Sequence, residues 1–272
     1  MKMLMKSHPT ISFFVLAYVI SWTLFFPAVA VSQGWLSGNS SITEVITMFG
    51  NYGPLIAALI VTAALEGRTG IRALLARLRP GVKNRIWYFA VLIPAGILLV
   101  SLIIGDMLGL PHDAFPLTSL LLIPPYFLVI FFNAGIAEEI GWRGFALPHL
   151  QQQHNALESS LLLGVVWAGW HIPAFLMAGN YHQGMSLPLF VVDALALSIL
   201  LTWVTNGSGS LLIPVLMHTV INTSLGFIPL VAVGDLTVNR FVTWAVVLVV
   251  IALAGAKRLG GHSAPSAAHP VA

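Results

Sequence analysis

Two adjacent carboxylates and two separate histidines stand out because they fall within otherwise apolar stretches of the sequence. Glu138 and Glu139 lie in one such stretch, whereas His171 and His218 lie in two others. An ionisable side chain inside a bilayer costs about 2.5–3.5 kcal/mol on insertion scales, which makes each of these residues a functional candidate. Asp193 is the one charge of a further apolar stretch, and we interpret it as a structural anchor or a partner of the site.

The spacing around the two carboxylates predicts different roles for them. Glu139 and Arg143 are four residues apart, so they share a helix face and can pair. Glu138 is turned away from that face by about 100° and is available to another partner. We expect Arg143 to keep Glu139 charged and Glu138 to face a cavity. The alternative interpretation is an ion-pair cluster at the end of a helix near the inner membrane surface.

Each histidine also has a neighbour on its own helix face. Trp167 precedes His171 by four residues, and Asn222 follows His218 by four. An imidazole and a carboxamide on one face can donate two hydrogen bonds to one oxygen. Either histidine alone could equally be a hydrogen-bonding contact between membrane helices.

Taken together, these side chains could hydrolyse a peptide bond. A carboxylate and an imidazole, Glu138 and His171, can take a proton from water. A second imidazole and an amide, His218 and Asn222, can stabilise the oxyanion that forms on the carbonyl. Glu138, His171 and His218 could instead bind zinc through three protein ligands and one open position. The sequence has no His-Glu-x-x-His motif, so the usual metalloprotease signature is absent.

The composition leaves lipid as the solvent for most of the chain. The 272 residues are 58% hydrophobic and 8% charged, with a mean hydropathy of +0.92. Soluble domains carry about a quarter charged residues, so this sequence cannot cover a water-facing surface. The absence of cysteine excludes a disulfide framework, a thiol nucleophile and a cysteine-bound metal.

The elements that must position these residues are transmembrane helices, each of which needs about 20 apolar residues. We predict an all-α, polytopic membrane bundle of about eight transmembrane helices, at residues 11–31, 45–65, 86–105, 119–141, 157–177, 188–205, 210–232 and 241–256. The whole of 1–272 then forms one membrane domain. We expect its catalytic core over 119–232, an amphipathic cytoplasmic loop over 68–85 and a flexible tail over 257–272.

The distribution of basic residues predicts the orientation. Eight spans place nearly all Lys and Arg on one side, which should be cytoplasmic, together with both termini. Arg143 follows the fourth predicted span and falls at that boundary. The opposite side carries Arg240 and the acidic residues Glu44, Asp106, Asp113 and Asp235. We therefore expect a multi-pass protein of a prokaryotic cell membrane.

Three motifs in this order resemble those of the CAAX protease and bacteriocin-processing (CPBP, or Abi) family, which includes the Ras-converting CAAX endopeptidase. The motifs are Glu138-Glu139-x-x-x-Arg143, Trp167-x-x-x-His171 and His218-x-x-x-Asn222. The family is a bundle of about eight helices with the motifs in its second half. Its second motif usually begins with phenylalanine, so Trp167 is a departure that keeps an aromatic wall but enlarges it.

The resemblance implies a role for each motif residue. Glu138 and His171 would activate water, and His218 and Asn222 would form the oxyanion site. Glu139 and Arg143 would hold the geometry, with Trp167 in support. We favour a glutamate-activated water without a metal or other cofactor, while zinc bound by Glu138, His171 and His218 stays open as the alternative.

We therefore predict an intramembrane endopeptidase. Its substrate would be a membrane-associated peptide or lipidated protein, of which a prenylated CAAX-type protein is one form. Its other partner would be the lipid bilayer, and no nucleic acid is expected. The alternatives are a proton-coupled transporter, which also needs embedded Glu and His, and a non-catalytic immunity or scaffold protein.

Overall fold

The computed structural model describes residues 2–110, 117–227 and 237–261, and over these residues the chain contains helices and no strands. Asp113 and Asp235 lie outside the described residues, as do 228–232 of the predicted catalytic core and 262–272 of the predicted tail. Within the described part of that tail, Leu259 is buried.

The bundle is built from nine main helices over the described residues. They are α1 (Pro9–Ser32), α2 (Ser40–Gly50), α3 (Gly53–Ala76), α4 (Ile93–Met107), α5 (Leu120–Leu150), α6 (Ala156–Trp170), α7 (Leu187–Ser208), α8 (Leu212–Phe227) and α9 (Thr237–Ala254). Short helices Lys2–Ser7, Ile86–Ala90 and Ile172–Leu176 flank α1, α4 and α6, and the 3-10 turn Leu117–Leu122 leads into α5.

The predicted all-α membrane bundle is confirmed. Seven helical segments of the described chain are long and apolar enough to cross a membrane, and α8 is a shorter apolar helix. Together they correspond in number to the eight predicted spans.

Two predicted spans have different boundaries in the structure. The second, 45–65, is divided into α2 and α3, which meet at Asn51 and Tyr52, and α3 continues to Ala76. Gly67 adopts a left-handed conformation (φ 65°) that bends α3. Beyond this bend the helix continues to Ala76, within the segment 68–85 that was predicted to be a loop. Glycine reaches this conformation without the steric cost of a Cβ atom.

The predicted end of the fourth span at residue 141 was wrong, because α5 continues to Leu150. Arg143, predicted at the membrane boundary, is instead fully buried inside the protein. The sequence suggested a helix end because an arginine in an apolar run normally marks the interface. The structure instead gives Arg143 an internal partner, so α5 does not need to end there.

Close helix contacts bring α5 against its neighbours. A Cβ atom at Gly135 would lie 2.8 Å from the Val215 carbonyl oxygen of α8, and one at Gly141 would lie 2.6 Å from the Pro54 carbonyl oxygen of α3. Small residues allow such backbone approach in membrane bundles, where packing rather than the hydrophobic effect drives association. These two contacts fix α5 between α3 and α8, and thereby fix the position of the carboxylates on α5.

The contact at Gly141 gives a first prediction. Gly141→Ala should lower thermal stability in detergent by about 1–3 kcal/mol, because backbone atoms of α3 cannot move aside as a side chain could. Gly96→Ala is the matched control, since Gly96 is a helical glycine with open space around its Cβ position. We expect the control to be neutral or mildly stabilising. Equal unfolding temperatures for the two variants would contradict this packing.

Candidate active site

Glu138 and Glu139 lie in a short α-helical segment of α5 between two stretches of π-helix. The π-helical stretches are Phe131–Ile136 and Ile140–Ala146, and the carboxylates belong to Ala137–Glu139. π-Helix is rare and occurs mostly at functional sites, where it changes the direction in which side chains point. Glu138 is 4% exposed and Glu139 is fully buried.

Trp167 is the residue that connects the first motif to the second. Its indole Nε1–H donates to Glu138 Oε2 over 2.7 Å, and its backbone carbonyl accepts from His171 Nδ1 over 2.8 Å. Its ring meets the imidazoles of His171 and His218 edge-on, at centroid distances of 5.4 and 5.6 Å. Trp167 therefore contacts three of the four predicted catalytic residues directly.

The local backbone explains how His171 reaches its position. Helix α6 ends at Trp170, and the short helix Ile172–Leu176 begins immediately after it, with Pro173 in its first turn. His171 lies at this junction. A carbonyl oxygen can only accept, so Nδ1 carries the proton and Nε2 keeps its lone pair. The bond to the backbone thus sets the tautomer and leaves Nε2 free for chemistry.

Glu139 is shared by two cationic or potentially cationic partners. Its Oε1 accepts from the Arg143 guanidinium over 3.1 Å and from His218 Nδ1 over 2.7 Å. The pairing with Arg143 was predicted from the spacing of four residues. The contact with His218 was not, because spacing within one helix carries no information about partners on another.

The Arg143 guanidinium also lies over the ring of Trp167, 5.1 Å from its centroid. Such a cation–π contact is stronger where both groups are desolvated, as they are here. The charged cluster of Glu139, Arg143 and His218 is in this way joined to the tryptophan that binds Glu138.

Asn222 completes the third motif one helical turn after His218. Its Nδ2 lies 3.4 Å from His218 Nε2, so the amide and the imidazole edge are adjacent on α8. This adjacency matches the shared face that the spacing predicts.

A cavity of about 350 Å³ opens beside these residues. Trp167, His171, His218 and Asn222 are among the described residues that line it. The prediction that Glu138 faces a cavity was wrong, because the Trp167 indole lies between its carboxylate and the cavity. Glu138 contacts the lining through the Trp167 indole. The walls are otherwise largely aliphatic and aromatic where α4, α5, α7 and α8 contribute, whereas α9 contributes the polar residues Asn239, Arg240 and Thr243.

Asp193 and Arg240 form a bidentate ion pair in the wall of this cavity. Arg240 Nε and a terminal nitrogen donate to the two Asp193 oxygens over 2.7 and 2.8 Å. The pair joins α7 to α9. The sequence places Arg240 near the far membrane surface but gives no indication of this partner.

Sequence reasoning also missed His182, which lies in the segment between Ile172–Leu176 and α7 and lines the cavity. Its ring is 5.6 Å from that of His171 and 5.1 Å from that of Phe190. Its Nδ1 lies 3.0 Å from Asn180 Oδ1. Burial lowers the pKa of His182 to about 4, so this imidazole is neutral at pH 7. A histidine in a loop resembles any exposed histidine, and no sequence signal distinguishes it.

Comparison with known proteins agrees with the motifs. Residues 120–224, which contain every motif residue, match the family described as Type II CAAX prenyl endopeptidase Rce1-like. This segment is therefore similar to an Rce1-like domain. The chain is also similar to CAAX prenyl protease 2 of Methanococcus maripaludis, with 26% identity over 240 residues, covering 80% of this chain and 83% of that protein.

The predicted family resemblance is therefore confirmed, and with it the expectation of an intramembrane endopeptidase. Neither comparison favours a transporter or a non-catalytic scaffold. Trp167, His171, His218 and Asn222 of the three motifs meet at the cavity wall, and the residues of the first motif lie behind them.

The zinc alternative requires Glu138, His171 and His218 to lie close enough together to bind one metal ion. Over residues 2–110, 117–227 and 237–261, no group of three His, Asp or Glu side chains lies close enough to hold a metal ion. Glu138 is bound to Trp167, and His218 is bound to Glu139. Both histidines are bonded through Nδ1, which is also how metal-binding histidines are oriented, so the zinc alternative stays a prediction beside the glutamate-activated water.

The indole bond to Glu138 gives a second prediction. Trp167→Phe keeps an aromatic ring but removes the N–H donor, and charge-assisted hydrogen bonds are worth about 1.5–3 kcal/mol. We expect peptidase activity to fall about 10- to 100-fold, since each 1.4 kcal/mol changes a rate about tenfold. The acidic limb of the pH–activity profile should move to higher pH, because the ionised carboxylate loses a stabilising donor.

Trp22→Phe is the control for that measurement. Trp22 Nε1 donates to the Trp170 carbonyl over 3.0 Å, so this variant also removes an indole hydrogen bond. It leaves the bond to Glu138 in place and should leave the pH profile unchanged. A Trp167→Phe enzyme with the parental profile would show that the indole does not serve Glu138.

The buried Arg143 gives a third prediction. Arg143→Met leaves Glu139 buried without its guanidinium partner, and breaking a buried pair costs about 3–5 kcal/mol. We expect the unfolding temperature in detergent to fall by about 10 °C. Arg79→Met is the control, because Arg79 is exposed. Similar unfolding temperatures for both variants would contradict a stabilising role for the pair.

Proposed function

We propose that this protein hydrolyses a peptide bond of a membrane-associated peptide, with water activated by Glu138 and His171 and without a metal ion. The observation that carries the proposal is the position of Trp167, which binds Glu138 and His171 at the wall of the cavity. A carboxylate and an imidazole held by one residue can act on one water molecule.

His171 is the base that the cavity reaches directly. Its Nδ1–H is committed to the Trp167 carbonyl, so Nε2 is the atom that can accept a proton. Glu138 is held on the same tryptophan through the indole N–H, and its carboxylate would share with His171 the proton that the water gives up. General base catalysis of this kind contributes about 10²–10⁴-fold to the rate.

His218 supplies the positive charge of the proposed oxyanion site. Glu138 and Glu139 are two negative charges in a buried cluster, and Arg143 provides one positive charge. A doubly protonated His218 balances the sum to zero, and buried charges are tolerated when they are paired and hydrogen-bonded. In that state Nδ1–H donates to Glu139, and Nε2–H is available beside the Asn222 amide.

The proposed reaction then follows in two steps. A water oxygen bonds to the peptide carbonyl carbon while its proton passes to the Glu138–His171 pair, and the carbonyl oxygen becomes an oxyanion that accepts from His218 and Asn222. The C–N bond then breaks, and the departing amine takes the proton. The products are a carboxylic acid and an amine, and transfer of one proton between them gives a carboxylate and an ammonium. The site returns to its starting charge.

The substrate class follows from the lining of the cavity and from the relative. The cavity is mainly aliphatic over the residues contributed by α4, α7 and α8, which suits aliphatic side chains or an isoprenoid chain. The similar archaeal protein is named a CAAX prenyl protease. We therefore propose a prenylated CAAX-type peptide as the first substrate to test.

The orientation is part of the proposal. The basic residues favour cytoplasmic N and C termini for a chain with eight spans. The same reasoning places the amphipathic segment after Gly67 on the cytoplasmic membrane surface, where Arg72 and Arg79 are exposed to lipid headgroups.

The fourth prediction tests Glu138 and the metal together. Purified protein would be reconstituted with a quenched fluorescent peptide carrying a farnesylated CAAX end, with and without a zinc chelator. We expect cleavage that survives chelation and falls by at least about 100-fold in Glu138→Ala, because the Glu138–His171 pair that accepts the water proton loses its carboxylate. Glu44→Ala is the matched control, since Glu44 is an exposed glutamate far along the chain from the motifs.

Two outcomes would overturn parts of the proposal. Activity lost on chelation and restored by zinc would replace the glutamate mechanism with a metal-dependent one. Full activity in Glu138→Ala would remove Glu138 from the chemistry.

A further inference from the structure

The proposed mechanism leaves one ion pair of the cavity wall without a role. Asp193 on α7 and Arg240 on α9 both line the cavity. Their side chains are 26% and 17% exposed, whereas Glu139 and Arg143 of the charged cluster are fully buried. Ionisable residues kept within membrane segments usually serve a bound ligand or a transport path. The exposure of this pair to the cavity therefore makes it a candidate for contact with the substrate.

The geometry of the pair leaves one edge of the Arg240 guanidinium available. A guanidinium has five N–H donors in a planar fork. Asp193 accepts from Nε over 2.7 Å and from the terminal nitrogen Nη2 over 2.8 Å, which uses two of the five. Among the residues that the structure describes, no second acceptor is bonded to Arg240. The edge between Nη1 and Nη2 keeps two parallel N–H groups, which is the geometry that binds a carboxylate through two hydrogen bonds.

Asp193 prepares this edge for an anion. It neutralises the guanidinium, so the pair is tolerated in the interior of a membrane protein. It also holds the planar group in one orientation, so a ligand does not have to order the side chain. Among the described residues that line the cavity, Asp193 is the one acidic side chain, and both of its oxygens are bonded to Arg240. An incoming carboxylate would thus meet a single negative charge that is already paired.

The pair lies within a few peptide units of the proposed catalytic residues. The ring of Phe190 is 5.2 Å from that of His171, and Asp193 follows Phe190 by three residues on α7. Three residues correspond to about 4.5 Å along a helix and to nearly the same face. An extended peptide advances about 3.3–3.6 Å per residue. A peptide whose scissile bond lies at His171 and His218 can therefore place a carboxylate a few residues away at Arg240.

We infer that Arg240, oriented by Asp193, binds the free C-terminal carboxylate of the substrate. The inference rests on the proposed function and deepens it, because it makes the enzyme select chains that end a few residues beyond the bond that it cuts. A prenylated CAAX-type peptide, whose motif is C-terminal, ends in such a carboxylate. Aliphatic residues of α7 adjoin Asp193 in the cavity lining, so the apolar and ionic parts of the site are continuous: Leu189, Ala194 and Leu197.

Two quenched fluorescent peptides of one farnesylated CAAX-type sequence test this inference, one ending in a free carboxylate and the other in a carboxamide. We expect the parental protein to cleave the acid with a KM at least about tenfold lower than that of the amide, because the amide loses a charge-assisted pair of hydrogen bonds. The kcat values should be similar, since the contact is remote from the reacting bond. Equal KM values for the two peptides would overturn the inference.

Substitutions of the pair separate binding of the carboxylate from a merely structural role. Arg240→Gln should raise the KM of the acid about tenfold and leave the KM of the amide unchanged, so cleavage of the amide is the control for folding. Arg240→Lys keeps a cation beside Asp193 but lacks the planar fork, and it should show the same loss at a near-parental unfolding temperature. Asp193→Asn should lower the KM of the acid, because the competing negative charge is removed. Equal impairment of both peptides in all three variants would mean that the pair only joins α7 to α9, and would overturn the inference.

A binding measurement distinguishes failure of this inference from failure of the proposed function. If the parental protein in detergent cleaves neither peptide, the proposed function fails. Fluorescence anisotropy then measures binding of the two labelled peptides to Glu138→Ala and to the double variant Glu138→Ala/Arg240→Gln. We expect Glu138→Ala to bind the acid at least about tenfold more tightly than the amide, and the double variant to bind both alike. Equal Kd values for the acid and the amide in Glu138→Ala would overturn the inference.

Discussion

The structure depends on the placement of charge in a medium that does not solvate it. Glu139 and Arg143 are both fully buried, and the guanidinium and the His218 imidazole share one carboxylate oxygen. Burying either ion alone would cost several kcal/mol, so the cluster exists because its members neutralise each other. This requirement keeps α5 helical past Arg143 and holds α8 against α5 at His218.

The charged cluster and the cavity meet at Trp167 and at His218, which binds Glu139 and also lines the cavity. Behind the indole lie the carboxylates and the arginine, and in front of it lie the imidazoles and the amide that line the cavity. The arrangement lets the ions stay paired inside the protein while the imidazoles and the amide face the cavity. It also explains why the site can reside in the membrane without exposing an unpaired charge to lipid.

Contacts within one helix were predictable from the sequence, and contacts between helices were not. Spacing of four residues correctly predicted the pairing of Glu139 with Arg143, and hydropathy predicted the number of spans. The bonds from His218 to Glu139 and from Arg240 to Asp193 depend on how one helix is rotated against another. That rotation is set by small residues such as Gly135 and Gly141, whose close contacts sequence spacing does not reveal.

Trp167 shows how one substitution in a motif changes what the site requires. The CPBP family, whose motifs this sequence resembles, usually has phenylalanine at this position. Phenylalanine provides an aromatic wall but no hydrogen-bond donor. Here the indole N–H binds Glu138, and in a low-dielectric interior a buried carboxylate gains much from one donor and loses much without it. The larger ring also fills the space between the two imidazoles. The tryptophan therefore has two roles, of which phenylalanine could fill only the first: it shapes the cavity wall, and its indole N–H holds the Glu138 carboxylate.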